Sequence, residues 1–154
     1  MHDLTTKNGS FKGYIGECMF RLAEPRAYLV RYIGKSWYIE THCQQLSDAQ
    51  HEFLQKYWYS LDAISVDTTK ITLYEVKTRN EYSYNNPQWK NKFTKSTVDI
   101  YRKALSLGFT VLVATVVLHK NWQYDILLEP FDHAIYCIDA PKKYDRPEDP
   151  IMKL

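Results

Sequence analysis

The order of elements read from this chain predicts an α/β fold built on a mixed β-sheet. Three observations carry that expectation. Thr110 to Leu118 is a continuous β-branched and apolar run, the pattern of a strand buried on both faces. Trp58 to Val66 and Ile71 to Thr78 are two strand-like runs joined by the short turn Asp67-Thr68-Thr69-Lys70, which makes them an antiparallel hairpin. Apolar stripes at helical spacing stand before and after that hairpin, so helices are available to cover the sheet.

Each element has a local reason. Phe11 to Ala23 reads as the first helix because Ile15, Cys18, Met19 and Leu22 recur every three or four residues, and Pro25 stops it. Tyr28 to Ile33 is aromatic and β-branched and reads as a strand. Gly34-Lys35-Ser36 then turns the chain toward a partner strand at Trp37 to Glu40. Ser47-Asp48-Ala49-Gln50 is a capping box that opens a short helix with Phe53, Leu54 and Tyr57 on one face. Arg79 to Lys95 has no clean period and reads as a loop, marked by Asn85-Asn86-Pro87. Ser96 can cap a helix to Leu107, with Val98, Tyr101 and Leu105 on its inner face and Gly108 at its end. Tyr124 to Leu128 and Ala134 to Ile138 read as the last strands. One domain over residues 1–140 follows, with 141–154 a charged, Pro-containing tail expected to be poorly ordered.

Composition excludes several classes. With 45% hydrophobic and 25% charged residues the chain has a globular balance, not a disordered one. Cys18, Cys43 and Cys137 form no C-x-x-C, which argues against a disulfide scaffold, a zinc ribbon or an iron–sulfur cluster. His2, His42, His51, His119 and His133 show no chelating spacing. No Walker A or G-x-G-x-x-G sequence supports a nucleotide cofactor, and no G-x-S-x-G marks a serine hydrolase. Residues 1–16 lack the apolar core of a signal peptide, and no stretch is long enough for a membrane helix. The expected setting is intracellular and cytoplasmic, without a membrane partner.

Charge is uneven. The chain carries +2 overall, yet residues 70–103 hold eight basic and three acidic groups. A local basic block is the footprint of a polyanion site as well as of a plain solvated face. Within it Arg79, Tyr82, Tyr84, Trp89, Lys90, Lys92, Phe93 and Lys95 interleave cations and rings, as in grooves where cations meet phosphates and rings stack on bases. One of Trp89 and Phe93 is expected to be core.

The decisive segment is the hairpin. Ile71, Leu73, Glu75 and Lys77 share one strand face. Two ionisable groups on an otherwise apolar face need a partner or a metal, because burying charge costs several kcal/mol, on the order of the ion desolvation penalty. Asp62 on the neighbouring strand can reach the same end of the sheet. Two carboxylates and a main-chain carbonyl make a hard oxygen site suited to Mg²⁺. E-x-K by itself is common, and Glu75 and Lys77 could form an edge-strand ion pair. Its setting is what adds weight: D-x12-E-x-K on a hairpin, then a basic loop, a helix and a buried strand.

In these residues the chain resembles the PD-(D/E)XK nuclease superfamily, in style closest to archaeal Holliday-junction resolvases and to viral nucleases. The resemblance spans roughly residues 13–128. It implies a restriction-endonuclease-like core, a central mixed sheet flanked by helices. It places Asp62 at the motif's Asp and Glu75 and Lys77 at its E-x-K, with the main-chain carbonyl of Val76 as a further metal ligand. The acidic residue that many members carry on the first helix would be Glu17, at the edge of the apolar stripe and equally compatible with solvent. A Gln or Lys facing the site from the later segment could be Gln88, Lys92 or Lys95. Leu61 stands where the motif has Pro, and the segment 42–57 is longer than in compact resolvases.

The resemblance implies a deoxyribonuclease that uses Mg²⁺, with Mn²⁺ as a substitute, to hydrolyse phosphodiester bonds in DNA repair or recombination. Homodimerisation is a habit of the resolvases. Arg79, Tyr82, Tyr84, Gln88, Lys90, Lys92 and Lys95 would contact DNA. The alternatives are a non-catalytic nucleic-acid-binding protein that keeps the fold and, more remotely, a small-molecule phosphodiesterase.

Overall fold

In the computed structural model residues 9–138 are described; the 141–154 tail and the outer ends of the 1–140 domain lie outside them. The elements are helix α1 (Gly9–Ala23), strand β1 (Tyr28–Leu29), helices α2 (Lys35–His42) and α3 (Asp48–Tyr57), and the hairpin β2 (Ala63–Asp67) and β3 (Lys70–Asn80). They continue with helix α4 (Glu81–Tyr84), strand β4 (Asn91–Phe93), helix α5 (Lys95–Ser106), and strands β5 (Thr110–Leu118), β6 (Tyr124–Pro130) and β7 (Tyr136–Ile138).

Five strands form one mixed sheet in the order β1-β2-β3-β5-β6. β3 and β5 run parallel from Thr72↔Thr110 to Asn80↔Leu118. The β1–β2, β2–β3 and β5–β6 pairs are antiparallel. Parallel neighbours need a crossover, and α4, β4 and α5 supply it. β4 pairs in parallel with β7 as a separate two-stranded ribbon.

The sheet is covered on both faces, which explains why β5 is apolar throughout. On one face Ile64, Leu73, Val111 and Val113 pack with Tyr38, Phe53, Leu54, Trp58, Val98 and Tyr101. On the other, Ala63, Tyr74, Ala114 and Val116 pack with Phe20 of α1. α1 comes closest to β3 at Gly16: a Cβ there would lie 1.8 Å from Thr78 Oγ1 and 2.9 Å from Thr78 Cβ. The missing side chain therefore fixes how deeply α1 seats on the sheet, and with it the next residue, Glu17.

Several boundaries differ from the sequence reading. Tyr28 to Ile33 is a strand only over its first two residues; Val30–Tyr32 forms a 3₁₀ turn. Trp37 to Glu40 is not a partner strand but part of helix α2. Aromatic residues at short spacing fit either period, and the helix is selected because it buries Tyr38 and Ile39 and brings the Tyr38 and His42 rings to 4.8 Å. The run from Trp58 begins as a 3₁₀ turn that buries the indole, so β2 starts at Ala63. Thr94, not Ser96, caps α5, its Oγ1 accepting the Thr97 N–H at 3.2 Å. The segment read as a loop contains α4, whose N-cap Asn80 accepts the Ser83 N–H at 2.6 Å, and β4. The capping box at Ser47 and Gln50 is present, and Gly108 leaves α5 at φ +93°, a left-handed value that favours glycine.

Gly16→Ala tests the seating of α1. The Cβ–Cβ approach cannot be relieved by rotating Thr78, so the variant is expected to lose about 1–3 kcal/mol of stability. Urea unfolding of the variant beside the wild type measures it; unchanged stability would show that α1 is free to shift.

Candidate metal and nuclease site

The site is built where β2 begins and β3 runs on without it. The last antiparallel pair is Ala63↔Tyr74, so the register continued by one residue sets Asp62 opposite Glu75. Asp62 turns its side chain onto the unpaired edge of β3, and its Oδ2 accepts the Val76 N–H at 2.8 Å. The N–H and C=O of one strand residue point to the same side. The Val76 carbonyl is therefore directed to the same edge as the Asp62 carboxylate.

Glu75 points into the face covered by α5 and is only 8% exposed. Its carboxyl lies within hydrogen-bonding reach of that of Asp62. Burial pushes both groups up, Glu75 well above its ordinary value, and the charge of Asp62 raises Glu75 further. The Val76 N–H and the charges of Lys77 and Arg31 pull Asp62 back down. Two carboxyls this close and this dry hold one proton between them more readily than two negative charges. The buried Tyr101 of α5 lies against Glu75, and burial followed by the charge of Glu75 pushes the phenol well above its usual value.

Lys77 is two residues along the same face and half-buried, its Nζ 4.8 Å from the centroid of the Phe93 ring. Its charge lowers both carboxyls. Glu17 reaches the cluster from α1. It is 6% exposed, its Oε1 stands 3.4 Å from Arg31 Nη2, and its Oε2 is buried without a hydrogen-bond partner. Burial, and then the charge of Asp62, push Glu17 up to about 7 against the opposing pull of Arg31. The structure thus brings together all four residues singled out as catalytic, Glu17, Asp62, Glu75 and Lys77, in one electrostatic cluster.

Their fit to a divalent cation is specific in kind. Among the described residues no three His, Cys, Asp or Glu side chains close into a group that could hold a metal. What is present is two adjacent carboxylates, a main-chain carbonyl on the same edge, and a third carboxylate with a buried, unpartnered oxygen. Mg²⁺ keeps several waters and takes one or two carboxylates plus substrate oxygens, and does not need an all-protein cage. The donors fit that habit.

The basic segment is divided. Lys90, Lys92, Lys95 and Gln88 are exposed, and Lys95 is paired with Asp99 at 2.9 Å. Arg79 sits at the end of β3 and donates to the Thr78 carbonyl at 3.0 Å. Tyr82 projects into solvent, while Tyr84 packs edge-on against Trp89 with centroids 4.8 Å apart. Phe93 is the core residue of the Trp89/Phe93 pair. Along β4, Asn91 and Phe93 are buried and Lys92 lies between them, facing out. The polar residue that this segment turns inward is therefore Asn91, whose Nδ2 donates to Thr115 Oγ1 at 3.0 Å. Thr115 is the register partner of Lys77.

Comparison with known proteins gives no match among family models, curated proteins or solved structures. Function must be argued from the geometry of this chain.

Three residues that matter here were not singled out as site residues from the sequence. Arg31 lay inside an expected strand, and only the 3₁₀ turn sends it to Glu17. Tyr101 carried the signal of a core helix position and is one, but beneath Glu75. Asn91 stands among charged neighbours, and no spacing in the segment marks it as the inward-facing residue.

Glu17 offers a test by pH. Its folded pKa of about 7 lies above its ordinary 4.5, so the folded state binds the proton more tightly than the unfolded state. The stability this contributes is complete below the unfolded value and is lost as pH rises through the folded value. In metal-free buffer Glu17→Gln should be more stable than wild type at pH 8, by on the order of 1–3 kcal/mol, and no more stable at pH 4. Denaturant titrations at both pH values check this; a destabilised variant at pH 8 would show that the charged form is well paired.

Proposed function

We propose that this chain is a Mg²⁺-dependent DNA endonuclease of the PD-(D/E)XK kind, with Mn²⁺ able to substitute. The observation that carries the reading is the meeting of Asp62 and Glu75 at the unpaired edge of β3, with Lys77 two residues further on the same face. A fold gains nothing in stability from two abutting buried carboxyls, because replacing them with apolar groups would remove a desolvation cost. Such an arrangement is a mark of sites that use charge.

Asp62, Glu75 and the Val76 carbonyl would hold the cation, with Glu17 closing the negative side of the cluster. A bound divalent cation supplies charge to offset the phosphate and makes water more acidic. The chain's own contributions are positional and electrostatic. The Val76 N–H holds Asp62 in one orientation. Glu75 is buried and the Phe93 ring lies against Lys77, and shielding from water strengthens the field there. The Lys77 ammonium is a fixed donor and positive charge for the oxygens on which negative charge grows during phosphoryl transfer. Exposed Lys90 and Lys92 supply sequence-independent attraction for the phosphate backbone.

A second reading, a nucleic-acid-binding protein without activity, draws on one observation: among the described residues no third His, Cys, Asp or Glu closes a metal group. Incubating labelled duplex, single-stranded and branched DNA with Mg²⁺, Mn²⁺ or EDTA separates the two. Cleavage is expected with either metal and not with EDTA. Glu75→Ala and Lys77→Ala should each lower the rate by at least about 100-fold with the fold retained, as for loss of a group acting on the transition state. Binding without cleavage in every metal would favour the second reading.

A further inference from the structure

Beyond the ends of β3 and β5 the chain forms an open cavity of about 680 Å³, whose lining does not include the carboxylate cluster. Its volume lies within the usual range of small-ligand sites, roughly 300–1,000 Å³. α4 and the Asn85–Pro87 loop make one wall, and Leu118 to Lys120 make the other.

The walls carry the amides of Asn80, Asn85 and Asn86, the Glu81 carboxylate and the Lys120 ammonium. Asn80 Oδ1 accepts the Ser83 N–H at 2.6 Å, and Asn86 Oδ1 accepts the Gln88 N–H at 2.9 Å. Each amide oxygen keeps a second lone pair and each NH₂ group two donors, the mixed pattern that can pair with a base edge. Lys120 is exposed at the rim. The acidic side chain of the lining, Glu81, is already engaged, its Oε2 2.7 Å from His119 Nδ1, while His119 Nε2 lies 2.7 Å from Asp125 Oδ2. With both ring nitrogens facing carboxylates, His119 links α4 to β6, and the cavity presents amides beside one carboxylate and one cation.

One ring stands on the rim, and a second faces a separate pocket nearby. Tyr82, which lines the cavity, is 87% exposed. Trp122, on the far side of His119, is 92% exposed and is held at φ +64° directly after Asn121 at φ +66°. Two successive non-glycine residues in the left-handed region are costly, and such strain gathers at functional positions. Here it presents an indole to solvent.

Asn80 lies three residues beyond Lys77 on the same strand, about 10 Å away at a strand's rise per residue. We propose that the cavity receives an unpaired nucleotide of the strand being cut, so that the substrate class is DNA with unpaired bases, such as a tail, flap or bulge, and not continuous duplex. In a duplex the base faces are stacked and only edges show. A ring on a rim above amide donors can be used only by a base that is splayed out. The inference rests on the nuclease reading for its substrate.

The test measures binding in EDTA by fluorescence anisotropy and cleavage in Mg²⁺ in parallel. The probes are a labelled duplex and the same duplex with a single-stranded oligo-dT tail. The tailed DNA should bind more tightly. Tyr82→Ala and Lys120→Ala are surface changes that leave the core intact, and each should collapse the tailed-to-duplex affinity ratio toward one. A single base stack corresponds to about 5- to 150-fold in affinity. A tail preference that both variants keep overturns the pocket, as does equal binding of tailed and plain duplex by the wild type. If the preference is lost in the variants while no DNA is cleaved in Mg²⁺, the pocket stands and the nuclease reading falls. Cleavage without any tail preference has the opposite meaning.

Discussion

The hydrogen bond from the Val76 N–H to the Asp62 carboxylate organises the region around it. It does the work of the strand pair that β2 no longer supplies, and it keeps a carboxylate at the edge of β3 that would otherwise turn to water. Because Asp62 is held there, Glu75 faces a fixed negative neighbour inside a face that is otherwise apolar. The electrostatics of Glu17, Lys77 and Arg31 follow from that fixed pair. Lys77 and Arg31 both pull Asp62 down while burial pushes it up, so the cluster is a balance of opposed terms and not a relaxed ion-pair network.

The two layers of the fold meet at this point. α1 covers one face of the sheet and brings Glu17, at a depth fixed by the bare Cα of Gly16 against Thr78. α5 covers the other and brings Tyr101 beneath Glu75. β4 adds Phe93 as the wall beside Lys77 and Asn91 beside Thr115. An α/β sheet covered on both faces buries most of what its central strands carry; Lys70 and Arg79 stand near the ends of β3, and Glu75 and Lys77, in its middle, stand where an edge opens. That place is the start of β2, and the cluster lies there.

The hairpin and its site residues were legible because two strong rules coincide there: period-two alternation places Glu75 and Lys77 together, and a four-residue turn fixes the register that brings Asp62 across. The long buried strand at Thr110–Leu118 and the capping box at Ser47 were legible for equally local reasons. The stretch from Tyr28 to His42 was not. Its aromatic residues satisfy two periods, and the choice was made by burial of Tyr38 against Trp58 and Tyr28, a long-range fact. The same error hid Arg31. The basic segment was readable as charged and aromatic but not as placed, since the sequence could not show that Lys92 faces out while Asn91 faces in, or that Lys95 would be taken by Asp99. The His119 link to Glu81 and Asp125 joins residues up to 38 positions apart and left no spacing signal.

The proposed activity depends on the Asp62–Glu75 pair being a cation site. Thermal unfolding at neutral pH with and without millimolar Mg²⁺ or Mn²⁺ tests it without relying on any substrate. A ligand that binds only the folded state raises its stability by mass action. The wild type should therefore melt several degrees higher with the metal, roughly the shift expected for 1–2 kcal/mol in a domain of this size. The Asp62→Asn/Glu75→Gln double variant should show no such rise, although it folds. A wild type indifferent to both metals, or a double variant that responds equally, would contradict the site.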